Sequence, residues 1–131
     1  MSNELGAMKV ILMGKVLRGD GYGKQIGFPT ANIDRRQWSR LKVKPKLGVY
    51  AGTTRVGKKL YKAGIVVGPL DSKSLPKLES HLIGFRASLY NQKIAIELHE
   101  YLHSFTKYKT EVELKRGIAQ DIKKVKVLIK L

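Results

Sequence analysis

Apolar positions recur along this chain with two periods, and the change from one to the other divides it. VILMGKVL opens on a short apolar run with β-branched members, too brief for a helix, which predicts a buried first strand over residues 9–17. GVYAGTTRV (48–56) and LYKAGIVVG (60–68) are two further strand-like runs about Gly57-Lys58-Lys59, the pattern of a hairpin. Residues 79–85 read as a strand with Glu79, His81, Ile83 and Phe85 on one face, and residues 93–102 alternate Ile94, Ile96 and Leu98 inward. After Thr110 the period lengthens. Leu114, Ile118, Ile122, Val125 and Ile129 fall on one helical stripe, and Thr110 precedes Glu113 in a T-x-x-E capping box, so a C-terminal helix is expected over 110–130. Gly117 inside it costs about 1 kcal/mol against Ala. Five or six strands and then one helix imply a mainly β fold, an antiparallel barrel or sandwich with the helix packed against it. No internal repeat or low-complexity stretch interrupts the pattern.

Between the first two strands glycine takes over. RGDGYGKQIGFPTAN holds Gly19, Gly21, Gly23 and Gly27, which predicts a shaped loop rather than a regular element. Closely spaced glycines let successive backbone N–H groups turn toward one anion, and Arg18 and Lys24 add positive charge beside them. Pro29-Thr30-Ala31-Asn32 follows, with a hydroxyl and an amide oxygen two positions apart on one side of an extended chain. Both are hard oxygen donors suited to Mg²⁺, which takes few protein ligands and keeps water and phosphate oxygens. From residue types alone, a plain glycine-rich turn entering a strand is the better account of the segment. Residues 34–47, with six Lys/Arg, Trp38 and Pro45, read as a basic surface connection, and residues 68–76 as another loop.

Three patterns imitate known nucleotide or metal sites. Gly52-Thr53-Thr54-Arg55-Val56-Gly57-Lys58-Lys59 approaches the phosphate loop G-x-x-x-x-G-K-[ST], but Lys59 replaces the hydroxyl residue and a strand follows where a helix must open. His99-Glu100-Tyr101-Leu102-His103 matches the zinc motif H-E-x-x-H, which needs a helix. On a strand the two histidines stand about 13 Å apart, too far to share a metal bound at about 2 Å, and the β-branched Ile94 and Ile96 favour the strand. The glycine loop itself misses the dinucleotide fingerprint, since Lys24 occupies the place of the last glycine.

Composition narrows the setting. A chain of 131 residues is the size of one domain, taken as 1–131 with a flexible segment over 1–8. Cysteine is absent, no apolar run approaches the roughly 20 residues of a membrane span, and MSNELGAMKV lacks a signal-peptide core; a soluble, cytoplasmic protein without a membrane partner is expected. Twenty-six Lys and Arg against ten Asp and Glu give a charge of +16, which attracts phosphorylated small molecules and nucleic acid alike. An RNA-binding basic barrel is therefore one alternative, with Tyr22, Trp38, Tyr61 and Tyr108 as exposed stacking surfaces, although no RNP-type pattern occurs.

Gly14-Lys15-Val16 with Gly27-Phe28-Pro29-Thr30-Ala31-Asn32 resembles the opening of the riboflavin kinase family, which includes the kinase half of bacterial bifunctional FAD synthetases. The resemblance continues in Gly48-Val49-Tyr50-Ala51, in Glu79-Ser80-His81-Leu82-Ile83-Gly84-Phe85, in Leu89-Tyr90 and in residues 118–121, in order along nearly the whole chain. It implies a six-stranded antiparallel Greek-key β-barrel with a C-terminal α-helix, and a monomer that phosphorylates riboflavin to FMN with ATP or CTP and Mg²⁺. It also implies roles. Thr30 and Asn32 would hold Mg²⁺ and the nucleotide phosphates, Gly19, Gly21, Gly23 and Lys24 would form a flap beside Gly27 and Pro29, and Glu79 would be the general base. His103 and Phe105 would face the flavin; His103 stands where the family has Arg, and Asn91 where it has Gly. His81 reads as a structural strand residue. A homologue that keeps a flavin or nucleotide without turnover is the second alternative.

Overall fold

The computed structural model describes residues 10–19 and 21–131; the flexible segment expected over 1–8 lies outside them. Six strands, β1 (Val10–Leu17), β2 (Ala31–Ile33), β3 (Gly48–Val56), β4 (Lys59–Leu70), β5 (Pro76–Leu82) and β6 (Lys93–His103), close into a barrel in the order β1-β2-β5-β4-β3-β6. Every pairing is antiparallel. Strands β3, β4 and β5 follow one another, and β6 returns beside β3, which is a Greek key.

Alternation along the strands fills the interior. Leu12, Ile65, Val67 and Ile96 are fully buried there, and Tyr50 is the largest of the fully buried side chains among the described residues. The β3–β4 hairpin turns on Gly57-Lys58, between the paired residues Val56 and Lys59, and Gly57 has a φ of +60° as a two-residue turn demands. The phosphate-loop look-alike is therefore a hairpin. Asn91, standing where glycine was expected, has a φ of +71°, which Asn tolerates, and its N–H donates to the Val16 carbonyl at 2.9 Å.

Three expectations need correction. Strand β5 begins at Pro76 and ends at Leu82 rather than running 79–85. Proline has no ladder donor to lose at a strand start, and Gly84, with a φ of +87°, turns the chain away, so Ile83 and Phe85 lie beyond the strand. The glycine segment is not wholly irregular: Tyr22–Gln25 makes one helical turn, α1, and Asn32 lies on β2. Trp38 is not exposed. It sits in a short 3₁₀ turn, Arg36–Arg40, and packs into the barrel core at 5% exposure.

The C-terminal helix α2 (Glu111–Leu128) starts as its capping residues dictate, with the Glu113 N–H donating to Thr110 Oγ1 at 3.1 Å. Glu111 and Glu113 stand in its first turn and Lys126 in its last, which suits the helix dipole. Val125 and Ile129 pack on Ala51 outside the barrel and form a second, small core. Lys62 fastens this end by donating to the Lys126 carbonyl at 2.9 Å. Gly117 is explained by its neighbour: a Cβ there would lie 2.2 Å from the Tyr108 hydroxyl oxygen, so the helix accepts glycine in order to seat Tyr108.

One buried polar pair crosses the interior. Thr54 of β3 and Ser80 of β5, both fully buried, share a hydrogen bond of 2.7 Å. Thr54→Val leaves the Ser80 hydroxyl without that partner and is expected to lower stability by about 1–3 kcal/mol in urea denaturation. The double change Thr54→Val/Ser80→Ala should cost less than the two single changes summed; strict additivity would show that the pair is uncoupled.

The β4–β5 loop is held by Asp71, which accepts from the Lys73 and Leu75 N–H groups at 2.8 and 3.2 Å and pairs with Arg35. The Arg35 guanidinium first, and then those amides, hold its carboxyl below the usual carboxylate value. A depressed folded value means that the contribution to stability is fully present above the unfolded carboxylate value and is lost as pH falls below it and through the lower folded value. Asp71→Asn should accordingly lower the thermal midpoint at neutral pH and leave it unchanged in strong acid, where the wild-type carboxyl is already protonated.

Candidate active site

Barrel closure carries the glycine segment onto the outer face of β5. Ala31 pairs with Ser80 and Asn32 with Glu79, so Thr30, Asn32 and Glu79 come together on one side while Ala31, Ile33, Leu78 and Ser80 point inward. Thr30 Oγ1 donates to Glu79 Oε2 at 3.2 Å. The other carboxylate oxygen, Oε1, lies 3.0 Å from Lys77 Nζ, and the Glu79 side chain is only 17% exposed. Donors thus hold both oxygens and fix their direction.

Glycine is required here for close approach. A Cβ on Gly19 would stand 2.2 Å from Asn32 Nδ2, and one on Gly23 would stand 2.5 Å from the Phe28 carbonyl oxygen and 3.5 Å from Thr30 Oγ1. The Phe28 N–H closes the same turn on the Gly23 carbonyl at 2.7 Å. His81 steadies the exit. Its Nδ1 lies 2.7 Å from the Pro29 carbonyl oxygen, which can only accept, so the proton is on Nδ1. Arg18, expected beside the anion site, lies over the Tyr90 ring at 4.4 Å.

Beside Glu79 opens a cavity of about 310 Å³ between the barrel and α2. The glycine segment lines it with Gly23, Ile26, Phe28 and Thr30, strands β3 and β4 with Val49, Gly64 and Val66, and the stretch after β6 together with α2 with Phe105, Thr106, Tyr108, Leu114, Ile118 and Ile122. Its polar lining includes Lys77, Glu79 and His81 of β5, His103 of β6 and Asp121 of α2. His103 Nε2 meets Asp121 Oδ1 at 2.8 Å and so ties the end of β6 to α2. Phe105 packs on Gly68, whose φ of +102° and missing Cβ leave room for the ring.

Of the residues singled out from sequence, Gly23, Thr30, Glu79, His103 and Phe105 line this cavity. Asn32 adjoins Glu79 in the ladder, and Gly19 packs on Asn32. Gly21, Lys24, Gly27 and Pro29 belong to the turn but are not among the lining residues. Sequence reasoning missed Lys77 because the expected strand begins at residue 79, three residues later than β5 does; on the observed β5, Lys77, Glu79 and His81 share the outer face. It also gave no sign that the front of the helical stripe, Leu114, Ile118 and Ile122, lines a cavity rather than packing flat on the sheet. The H-E-x-x-H histidines lie on β6 and open into different recesses, His99 into one with Glu97 and Glu100, His103 into the cavity described.

The family model for riboflavin kinase (flavokinase) matches residues 7–129. The bifunctional riboflavin kinase/FMN adenylyltransferase of Escherichia coli is 34% identical over 113 residues, which is 84% of this chain and 35% of that protein. The chain therefore spans about a third of the length of the curated relatives it matches. Among solved structures, a riboflavin kinase from Trypanosoma brucei superposes with a TM-score of 0.66 at 24% identity, over 92% of this chain and 79% of that one. A Streptococcus pneumoniae chain described as a macrolide-efflux protein superposes with a TM-score of 0.79 at 22% identity, over 94% of this chain and 40% of that one. At these identities the two structures speak for the fold.

Because Gly23 has backbone rather than a movable side chain against it, Gly23→Ala is expected to cost about 1–3 kcal/mol in urea denaturation, the usual effect of overpacking. A change below about 0.5 kcal/mol, the range of ordinary surface substitutions, would show that the turn can give way.

Proposed function

The chain belongs to the riboflavin kinase family, and we propose that it transfers the γ-phosphoryl group of ATP to the ribityl 5′-hydroxyl of riboflavin, giving FMN and ADP. The observation that supports this reading is the position of Glu79, where the glycine turn meets the apolar cavity. A flat, largely apolar ring system suits walls made by Phe105, Tyr108, Leu114 and Ile118, and the carboxylate at the edge suits a hydroxyl that must lose its proton.

A ribityl hydroxyl is a weak nucleophile, and phosphoryl transfer is accelerated mainly by positioning and charge neutralisation. The cavity would hold the acceptor, and Glu79, locked by Thr30, would take the hydroxyl proton as the new O–P bond forms. The glycine turn of Gly19, Gly21, Gly23, Lys24 and Gly27 would cover the phosphates. Thr30 and Asn32 fit Mg²⁺: a hydroxyl and an amide share one face of the chain, and the Glu79 carboxylate adjoins both. Bound there with the nucleotide, Mg²⁺ would neutralise phosphate charge. CTP is the alternative donor, and the protein is expected to act as a monomer. Its setting is taken to be the cytoplasm; among the described residues no helix is long and apolar enough to cross a membrane.

Of the four aromatics named for the RNA-binding alternative, the Tyr22 side chain lies outside the described residues, and the other three form no open stacking platform. Trp38 is buried, Tyr61 packs against Phe85 with ring centroids 5.3 Å apart, and Tyr108 is half-buried against Gly117.

Incubation with riboflavin, MgATP or MgCTP, followed by chromatography of the flavins, tests the proposal. FMN should form, and Glu79→Gln should lower kcat by about 10²–10⁴-fold with little change in riboflavin binding, as expected for loss of a proton acceptor. Full activity in that variant would remove Glu79 from the chemistry. Flavin retained without turnover would favour the non-catalytic homologue.

A further inference from the structure

The chain has 26 lysines and arginines, yet among the described residues Lys77 alone of these lines the cavity. Lys24 is exposed on α1 and does not line it, and Arg18 lies over Tyr90 at 4.4 Å. Lys77 and Glu79 are two apart on β5, so both project from the outer face, and Nζ lies 3.0 Å from Glu79 Oε1. Glu79 Oε2 is meanwhile occupied by Thr30. The ammonium is thus fastened to the carboxylate oxygen of Glu79 that Thr30 does not occupy.

We propose that Lys77 is a cationic side chain of the transfer site, holding the Glu79 carboxylate in line and contacting the phosphoryl group as it moves. This rests on the phosphoryl-transfer reading above. An ammonium has three N–H donors on a flexible stem, so one can stay on Glu79 Oε1 while another reaches a phosphoryl oxygen. The lysine side chain is 51% exposed, which leaves it accessible to an arriving nucleotide and makes its ion pair with Glu79 readily rearranged. In the step itself the acceptor oxygen bonds to the γ-phosphorus while the β–γ bridging P–O bond breaks. That electron pair leaves with the nucleoside diphosphate, and the hydroxyl proton passes to Glu79. Lys77 gives up no proton; its charge offsets the negative charge on the phosphoryl oxygens, where a preorganised donor acts most strongly on rate. The flavin ring would pack on the apolar residues Phe105, Tyr108, Leu114 and Ile118 rather than on the ammonium, so riboflavin affinity should depend little on Lys77.

The test compares wild type, Lys77→Met and Lys77→Arg, with steady-state FMN formation, calorimetric binding of a non-hydrolysable MgATP analogue, and riboflavin fluorescence quenching. Lys77→Met should lower kcat by about 10²-fold or more, the effect of removing one donor to transition-state charge. It should weaken analogue binding several-fold and leave riboflavin affinity and the thermal midpoint near wild type. Lys77→Arg, which keeps the charge, should recover much of the loss. A Lys77→Met protein with kcat and analogue affinity within about threefold of wild type overturns the inference, as does a loss that Lys77→Arg shares in full with a fallen thermal midpoint. If wild type forms no FMN, the phosphoryl-transfer reading falls. The role of Lys77 as a nucleotide-site cation is then decided by calorimetry alone, and unchanged analogue affinity in Lys77→Met overturns it.

Discussion

Strand β2 is three residues long, and two residue pairs, Ala31 with Ser80 and Asn32 with Glu79, join it to β5. On its other edge Val16 and Leu17 of β1 pair with Ile33 and Asn32. This short ladder closes the barrel, and without it the sheet would end in two free edges. Strand alternation makes the same ladder place the site: with Ala31 and Ser80 turned inward, Asn32 and Glu79 must face out side by side. The inner side is reinforced by the Thr54–Ser80 hydrogen bond. The outer side is reinforced by Thr30 on Glu79 and by His81 on the Pro29 carbonyl. Fold closure and the placement of the carboxylate thus depend on the same few residues.

The terminal helix has a divided task along one stripe. Its last turns bury Val125 and Ile129 against Ala51, which fixes the helix to the barrel, and its first turns hold Leu114, Ile118 and Ile122 clear of the strands. The space between becomes the cavity. Tyr108 against Gly117, and His103 against Asp121, set its width from the side of β6. A helix packed flat along its whole length would have buried more apolar surface and left no room for a ligand; the apolar area left uncovered is the cost of a binding site.

The charge of +16 is distributed very differently from what the total suggests. Most of the described cations are exposed on the outer surface, where they raise the local concentration of any polyanion. At the cavity the described residues offer one lysine, and it is paired with a carboxylate. Selectivity at the cavity must then come from shape and from a few directed groups rather than from net charge.

The strand pattern of β1, β3, β4 and β6, the hairpin at Gly57, the Thr110 cap and the helical stripe were all legible in the residues themselves, because each rests on contacts between near neighbours in sequence. The G-F-P-T-A-N and Glu79-Ser80-His81-Leu82 segments were recognisable as a pair, and with them the family. What sequence could not show is anything decided by distant parts meeting. Trp38 sits in a run of basic residues and reads as surface, yet the barrel end draws its ring inside. Pro76 was taken for loop because proline is rare in strands, yet it opens β5 and so places Lys77 beside Glu79. Leu114, Ile118 and Ile122 carry the same helical period whether they touch strands or enclose a ligand, since period records only which residues share a face. What that face meets is settled by barrel closure and by the angle at which the helix returns, and only the tertiary structure contains these.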